Sequence, residues 1–227
     1  MFSGLKTSQV FKTCEVFYET ISMKNLLLLF FLLTLQAQAQ KETLHTLDAE
    51  GITSIALSAD EIFKITLTTA PVDKISLKTH SDGEYFNQIS LDKEVRGETL
   101  YLTSRFREVL QSGYDKLSAH KVFAMEIVLE IPEGLSVDIS SNLASVHASG
   151  DYKTLLVQLR SGSCYLSEFS GDAKVNTFNG NIDVTTQNTQ IKALSRHGEV
   201  VLPQNNMGTH KMELSSINGD IRVQKTK

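Results

Sequence analysis

The sequence contains no tryptophan, only three prolines and only two cysteines among its 227 residues. It also lacks a basic excess: the formal net charge is −4, whereas a protein that binds nucleic acid usually carries a basic patch. Hydrophobic residues make up 41% and charged residues 21% of the chain, which excludes disorder as a description of the whole molecule. The composition therefore predicts a globular protein with no nucleic-acid partner.

Only one long apolar run is present, and it is too short to cross a membrane. The run Leu26–Leu35 (LLLLFFLLTL) follows the positively charged segment 23–25 and precedes an Ala-x-Ala pattern that ends at Ala39. As a helix it would extend about 15 Å, half the thickness of the hydrocarbon core. We therefore predict a signal peptide over residues 23–39 and a mature chain that begins at Gln40. The product is exported to the periplasm or the cell surface, without stable membrane insertion after cleavage.

This signal affects how residues 1–22 and the cysteines are interpreted. We expect translation to begin at Met23, which makes residues 1–22 dispensable; the alternative is a genuine extension in front of the signal. Removing residues 1–39 takes three lysines and two glutamates from the 22 basic and 26 acidic residues, which leaves a net charge of −5. It also removes Cys14. Cys164 is then the single cysteine, which excludes an intramolecular disulfide even in an oxidising compartment.

From Gln40 onward, apolar and polar residues alternate in short runs between Gly, Asn, Asp and Ser, the pattern of half-buried strands. Residues 40–134 are predicted to form a β-rich first half that ends at the turn 132–134. The alternation is lost between Arg105 and His120, which predicts a long loop there. The predicted strands are Ser54–Leu57, Glu61–Thr68, Lys74–Lys78, Tyr85–Leu91, Thr99–Thr103 and Val122–Ile131.

Residues 135–227 contain five copies of a strand-turn-strand pattern. Aligning Asn142, Gly162, Gly180, Gly198 and Gly219 as anchors gives spacings of 20, 18, 18 and 21 residues. Apolar residues stand seven and five places before each anchor, and two and four places after it. The residues between them are mostly polar, so one face points into a core and the other into water. The apolar positions are Leu135, Val137, Leu155, Val157, Ala173, Val175, Ile191, Ala193, Met212 and Leu214 before the anchors, and Ala144, Val146, Cys164, Leu166, Ile182, Val184, Val200, Leu202, Ile221 and Val223 after them.

The anchor turns are built from dipeptides that end in glycine, which adopts positive φ at little steric cost. One such two-stranded unit cannot bury its own apolar face, but stacked neighbours bury one another's. We therefore predict an all-β fold, with a β-solenoid or β-roll of about five units that forms a single domain with the first half. An antiparallel β-sandwich is the alternative, because hairpins give a similar spacing.

The repeat carries a resemblance to a known family. The region 173–223, with TFNGNIDV, SRHGEVVL and SSINGDIRV, resembles the bacterial putative-adhesin family, whose members occur in Bacteroidetes-type bacteria. The segment 57–102, with HSDGEYFNQISLDKEVRGETLYL, is similar to the first strands of that family. The resemblance implies an exported or cell-envelope protein with a β-solenoid domain. It implies no catalytic residues.

Cys164 and the six histidines are the candidates for nucleophilic or metal chemistry. The repeat equates Cys164 with Ile182 and Ile221, positions predicted to face the core, so we interpret it as a buried apolar residue. The histidines lack the close spacing of a zinc site. We predict no catalytic, cofactor-binding or metal-binding residue. The histidines are His45, His80, His120, His147, His197 and His210.

Acidic residues raise two further hypotheses. Asp151, Asp172, Asp183 and Asp220 recur near turns, where calcium ligands can lie, but the Gly-Asp pattern of calcium-binding β-rolls is missing. We interpret them as solvated turn residues. The second hypothesis is that Asp183 and Glu199 lie next to each other across adjacent units, like the carboxylate pair of a glycosidase. No basic or aromatic residues accompany them at matching repeats, so we interpret this pair as a charged surface.

Eight apolar residues interrupt the outward polar face and predict a contact surface, either for the first half of the chain or for a partner. We predict a non-enzymatic envelope or surface protein that binds an unknown envelope, surface or glycan partner; the oligomeric state is left open. The alternatives are a carbohydrate-active enzyme and a protein that assembles end to end. Two lysines after the last strand, Ile221–Val223, would protect an edge and disfavour such assembly. The eight residues are Leu143, Leu156, Tyr165, Phe169, Phe178, Leu194, Val201 and Ile217.

Overall fold

The alternation in the sequence appears as strands, which confirms the all-β class. The computed structural model describes residues 40–60, 62–82, 89–106, 124–204 and 207–226, and the chain from Gln40 onward forms one compact unit. In β3, for example, Ile65 and Leu67 are fully buried whereas Thr66 between them is partly exposed. The strands are β1 (Gln40–Asp48), β2 (Ser54–Ser58), β3 (Lys64–Ala70), β4 (Lys74–Asp82), β5 (Ile89–Arg96), β6 (Thr99–Phe106), β7 (Ala124–Pro132), β8 (Ser136–Ser141), β9 (Ser145–Ser161), β10 (Cys164–Asn179), β11 (Ile182–Thr186), β12 (Thr189–Ser195), β13 (Val200–Val201), β14 (His210–Asn218) and β15 (Ile221–Lys225).

These strands form one open, mixed sheet with two rows. The first row has the order β1-β4-β7-β3-β9-β10-β11-β15-β13, and the second has the order β5-β6-β2-β8-β9-β10-β14-β12. Strands β9 and β10 belong to both rows, because the first part of each pairs in the first row and the second part pairs in the second. Antiparallel pairs join β1 to β4, β4 to β7 and β5 to β6, all in the first half of the chain. The pairs from β8 onward are parallel.

The inward side chains of the two rows form a single hydrophobic core. Strands β2 and β3 continue the stack of repeat units, since Ile55 pairs with Val137 and Ile65 with Val146. The first half is therefore joined to the repeats by pairing at the strand edges. Two rows about one core are compatible with a sandwich, and the solenoid stays a prediction.

The register of the first repeat unit differs by two residues from the alignment in the sequence. Val137, not Leu135, pairs with Leu155. The alignment used Asn142 as the anchor, but Ala144 supplies the carbonyl that lies against the next anchor glycine. A shift of two residues leaves each side chain on its original face, so the division into inward and outward positions survives the error.

The last two repeat units stack in the reverse of their sequence order. The fifth unit, β14 and β15, pairs with β10 and β11 of the third unit. The fourth unit, β12 and β13, lies beyond the fifth. The strand Ile221–Val223 is therefore not the last strand of its row, as the edge prediction assumed. Lys227 of the predicted lysine tail lies outside the described residues. In the described part of the chain, β13 ends the first row and β12 ends the second.

In the first half, β2, β3, β4, β6 and β7 correspond to predicted strands with shifted ends. Strand β1 was not predicted. The described strand β5 overlaps the end of the predicted strand Tyr85–Leu91, whose residues 85–88 lie outside the described residues. The predicted signal peptide and nearly all of the predicted loop 105–120 lie outside the described residues. Within the described ranges, no helix has the length and hydrophobicity needed to cross a membrane.

Candidate binding groove

An open groove crosses the second row of strands near the anchor turns. Its volume is about 640 Å³. Strands β8, β9, β10 and β14 contribute to it, so it runs across the strands rather than along one of them. Its lining residues are Asp60, Ser140, Ser141, Asn142, Gln158, Leu159, Arg160, Asn176, Thr177, Phe178, Ser215 and Ile217.

Four polar side chains form a line across this groove, which we call the polar line. Ser140 pairs with Gln158, Gln158 with Asn176, and Asn176 with Ser215. Because paired strands lie about 4.7–4.9 Å apart, equivalent side chains recur at that interval along the line. Among the described residues, the amide groups of Gln158 and Asn176 have no hydrogen-bond partner, so they are available to a ligand.

Phe178 supplies an exposed aromatic surface beside the polar line. Its side chain is 54% exposed at the end of β10. Ile217 occupies the equivalent position on the neighbouring strand β14, between the paired residues 216 and 218. Removing the face of an exposed aromatic ring from water is favourable, so a ligand that covers the ring is stabilised. The face prefers to stack on another ring or on an apolar surface. This end of the groove therefore favours a ligand with an apolar face.

Opposite charges accompany these neutral groups. Arg160 and Asp60 are the charged members of the lining set. With one cation and one anion, the described part of the lining has no charge excess of either sign. The described lining is therefore mainly neutral, with polar side chains and the exposed ring of Phe178.

Buried hydroxyl groups hold the strands beneath the groove. The Ser141 hydroxyl donates a hydrogen bond to the carbonyl of Ala59 and accepts bonds from the backbone N–H groups of residues 143 and 144. The Thr177 hydroxyl donates to the carbonyl of Gly162 at 3.1 Å. These bonds satisfy buried polar groups and fix the strand ends. The outward neighbours Ser140 and Asn176 are thus carried on an ordered backbone.

The anchor turns stack through close approach of glycine to the turn beneath. A Cβ atom on Gly180 would overlap the carbonyl of Gly162, and one on Gly219 would overlap that of Gly180. Of the four anchor glycines, only Gly162 has a positive φ, at 134°. The prediction that these turns need glycine for positive φ is therefore right at Gly162 and wrong at the other three. At Gly180, Gly198 and Gly219 glycine is needed because a Cβ atom would overlap the backbone of a neighbouring turn.

Cys164 lies in the core, as the repeat predicted. Its exposed fraction is 0%, and it pairs with Val146 on one side and Ile182 on the other. Burial raises the pKa of its thiol to about 12. Because the thiolate is the nucleophilic form, little of it is present at neutral pH, which argues against a catalytic role.

We expect Cys164 in the native protein to react with a disulfide reagent at least about 100-fold more slowly than in the unfolded chain, because both burial and the raised pKa oppose attack. The measurement is the rate of release of the coloured thiolate product at pH 8, with and without denaturant. A Cys14→Ser substitution makes Cys164 the only thiol if the leader is retained. Rapid reaction of the native protein would contradict the core assignment.

His147 lies on the outward face of the first row, away from the groove. Its ring stacks on that of Tyr165 with centroids 4.6 Å apart. Burial, together with the positive charge of Lys64, lowers the pKa of His147, so its ring is neutral at neutral pH. This pair forms a packed surface contact between two units.

The described residues contain no group of three His, Cys, Asp or Glu side chains placed to hold a metal ion. His120 lies outside them. Two of the acidic turn residues considered for calcium have local roles instead. Asp172 and Asp220 accept hydrogen bonds from the backbone N–H groups of Lys211 and Glu199, each at 2.9 Å.

Asp183 and Glu199 do not belong to neighbouring strands of the first row, so the hypothesis of an adjacent carboxylate pair fails. Asp183 on β11 pairs with Arg222 on β15. Glu199 precedes β13, which lies on the far side of β15. The reversed stacking of the last two units places β15 between the two carboxylates.

The predicted outward apolar residues differ in their surroundings. Phe169 is wrongly placed among them: it is 1% exposed and stacks on Tyr152, because a register irregularity just before it in β10 reverses the alternation. Leu143, Phe178 and Leu194 are more than half exposed. Of the two interpretations, packing against the first half does not apply to these three within the described residues, since that half is joined to the repeats by strand pairing.

Sequence reasoning identified Phe178 and Ile217 but did not single out the polar line as a site. A signal was present, because Gln158, Asn176 and Ser215 all stand four places before an anchor. The misplaced anchor of the first unit hid Ser140, which stands four places before Ala144 rather than before Asn142.

No known family model matches the sequence, and no curated protein matches it. Solved structures do resemble it. A putative cell adhesion protein from Clostridium sporogenes is 17% identical, with a TM-score of 0.59 over 82% of this chain and 100% of that chain. A putative adhesin from Bacteroides fragilis is 13% identical, with a TM-score of 0.37 over 81% of this chain and 97% of that chain. The first likeness shows that this chain has the same all-β fold as the Clostridium protein.

Proposed function

We propose that this protein is an exported, non-enzymatic β-solenoid protein that binds a component of a cell envelope or cell surface through the groove on its second row. The observation that carries this proposal is the polar line beside exposed Phe178, which equivalent positions of successive units build together. Export is supported by the signal-peptide features of residues 23–39.

The solenoid part of the proposal is supported by in-register parallel pairing of the repeat positions. Cys164 pairs with Ile182, and Ile182 pairs with Ile221. Equivalent core residues therefore stack on one another along the axis of the units. Such stacking presents flat outward faces on which side chains recur at regular intervals, which suits binding of an extended partner.

The carbohydrate-active enzyme is the weaker alternative. Glycoside hydrolysis normally needs two carboxyl groups on either side of the scissile bond. The lining residues that the structure describes include one, Asp60, and Asp183 and Glu199 are separated by β15. Binding without bond cleavage fits this arrangement better.

We expect Phe178→Ala to weaken binding of the exported protein to envelopes isolated from the bacterium that produces it by about tenfold, because the substitution removes the aromatic contact. The measurement is a co-sedimentation isotherm with the purified, tagged protein. Leu44→Ala is the matched control, since Leu44 is 66% exposed on β1 in the other row. Equal binding by the two variants would contradict a role for the groove.

A further inference from the structure

We infer that the ligand of the groove is a neutral polysaccharide chain that lies across the strands. This inference rests on the proposed function and specifies its ligand. Three features support it. The polar line consists of groups that both donate and accept hydrogen bonds, an aromatic surface lies next to it, and the described lining residues carry no charge excess.

The polar line suits hydroxyl groups. The carboxamides of Gln158 and Asn176 and the hydroxyl groups of Ser140 and Ser215 each donate and accept hydrogen bonds. A sugar hydroxyl also donates and accepts, so such groups can satisfy it in both directions. A line of lysines could only donate hydrogen bonds to the sugar hydroxyl groups, and a line of carboxylates could only accept them.

Phe178 suits the other surface of a sugar. A pyranose ring has C–H groups on its faces and hydroxyl groups at its edge, so it can stack on an aromatic ring while its edge bonds to polar side chains. Phe178 is exposed at the end of β10 and its neighbour on β14 is the apolar Ile217. One ring stacked on Phe178 would direct its hydroxyl groups towards Asn176 and Ser215.

The repetition of the polar line favours a polymer. Equivalent positions on β8, β9, β10 and β14 lie at successive strand spacings of about 4.7–4.9 Å. A chain of sugar units across the strands would meet one polar side chain at each step. A single monosaccharide would use only part of the line.

Charge and topology disfavour two other ligands. An acidic polymer is bound best by an excess of positive charge, but the described lining contains one cation, Arg160, and one anion, Asp60. An extended peptide usually adds to the edge of a sheet and bonds through its backbone. The groove lies on the face of inner strands, where the backbone groups are already paired with neighbouring strands.

The experiment is calorimetric titration of the purified exported protein with cellohexaose, maltohexaose, laminarihexaose, xylohexaose and chitohexaose, with hexagalacturonate as the acidic probe. We expect at least one neutral hexasaccharide to bind at least about tenfold more tightly than its disaccharide and to remain uncleaved. Phe178→Ala and Asn176→Leu are each expected to weaken that binding by about tenfold, whereas Leu44→Ala leaves it unchanged.

Binding of hexagalacturonate alone, or of none of the hexasaccharides, would overturn the assignment to neutral polysaccharide. If Phe178→Ala still reduces envelope binding in that case, the proposed function stands and only its ligand class is wrong. If Phe178→Ala changes neither envelope binding nor hexasaccharide binding, the groove itself is rejected. Because Phe178 is on the surface, its substitution should leave the melting temperature within about 2 °C of the parent, which separates loss of binding from loss of folding.

Discussion

Gly180→Ala is expected to lower the melting temperature by about 10 °C, from a loss of about 3 kcal/mol or more in stability. The new Cβ would overlap the carbonyl group of Gly162 in the turn beneath. That obstacle is backbone, which cannot rotate away as the end of a side chain can. Gly180 also donates its N–H to the carbonyl of Asn218 at 3.0 Å, so any displacement disturbs the turns on both sides.

Gly97→Ala is the matched control for this effect. Gly97 has a φ of 59° and no atom within 4 Å of an added Cβ, so the substitution costs only backbone strain, about 1–2 kcal/mol. Thermal unfolding followed by circular dichroism measures both variants. A smaller loss at Gly180 than at Gly97 would show that the anchor turns do not approach each other as closely as described.

Ile221→Ala is expected to destabilise the protein by about 2–5 kcal/mol, and Val200→Ala by less than about 1.5 kcal/mol. The two residues occupy the same position of the repeat and are paired with each other. Ile221 is 0% exposed because β15 lies between β11 and β13, whereas Val200 is 37% exposed on β13 at the end of the row. The measurement is the free energy of unfolding from denaturant titration.

This pair tests the stacking order of the last two units. If the units stacked in sequence order, Val200 would be the inner residue and Ile221 the terminal one. The larger loss would then fall on Val200→Ala. Comparable losses at both sites would likewise contradict the described order.

Much of the local structure follows from residue patterns. The period-two alternation correctly placed most strands and buried Cys164, because the face on which a side chain lies depends only on its position along its own strand. The two-residue error in the first unit did not change any face for the same reason. The inference of faces from alternation fails at Phe169. A register irregularity within β10 turns this residue inward, and the order of polar and apolar residues in the sequence does not indicate the irregularity.

The groove could be predicted only in part. Phe178 and Ile217 are recognisable as outward apolar residues from the repeat alone. Their adjacency is not, since sequence order would place the fourth unit, with Leu194 and Arg196, beside Asn176 and Phe178. The fifth unit takes that place instead, and Ser215 and Ile217 complete the lining.

The amino-acid sequence by itself therefore determined the all-β class, the inward and outward faces, and the burial of the only cysteine beyond the predicted signal. These properties depend on local alternation and on the polarity of each side chain. Only the tertiary structure decided which unit lies next to which. Because the third, fourth and fifth units carry nearly the same apolar pattern, either of the last two can cover the core of the third, and long-range strand pairing makes the choice. That choice buries Ile221, separates Asp183 from Glu199 and assembles the groove.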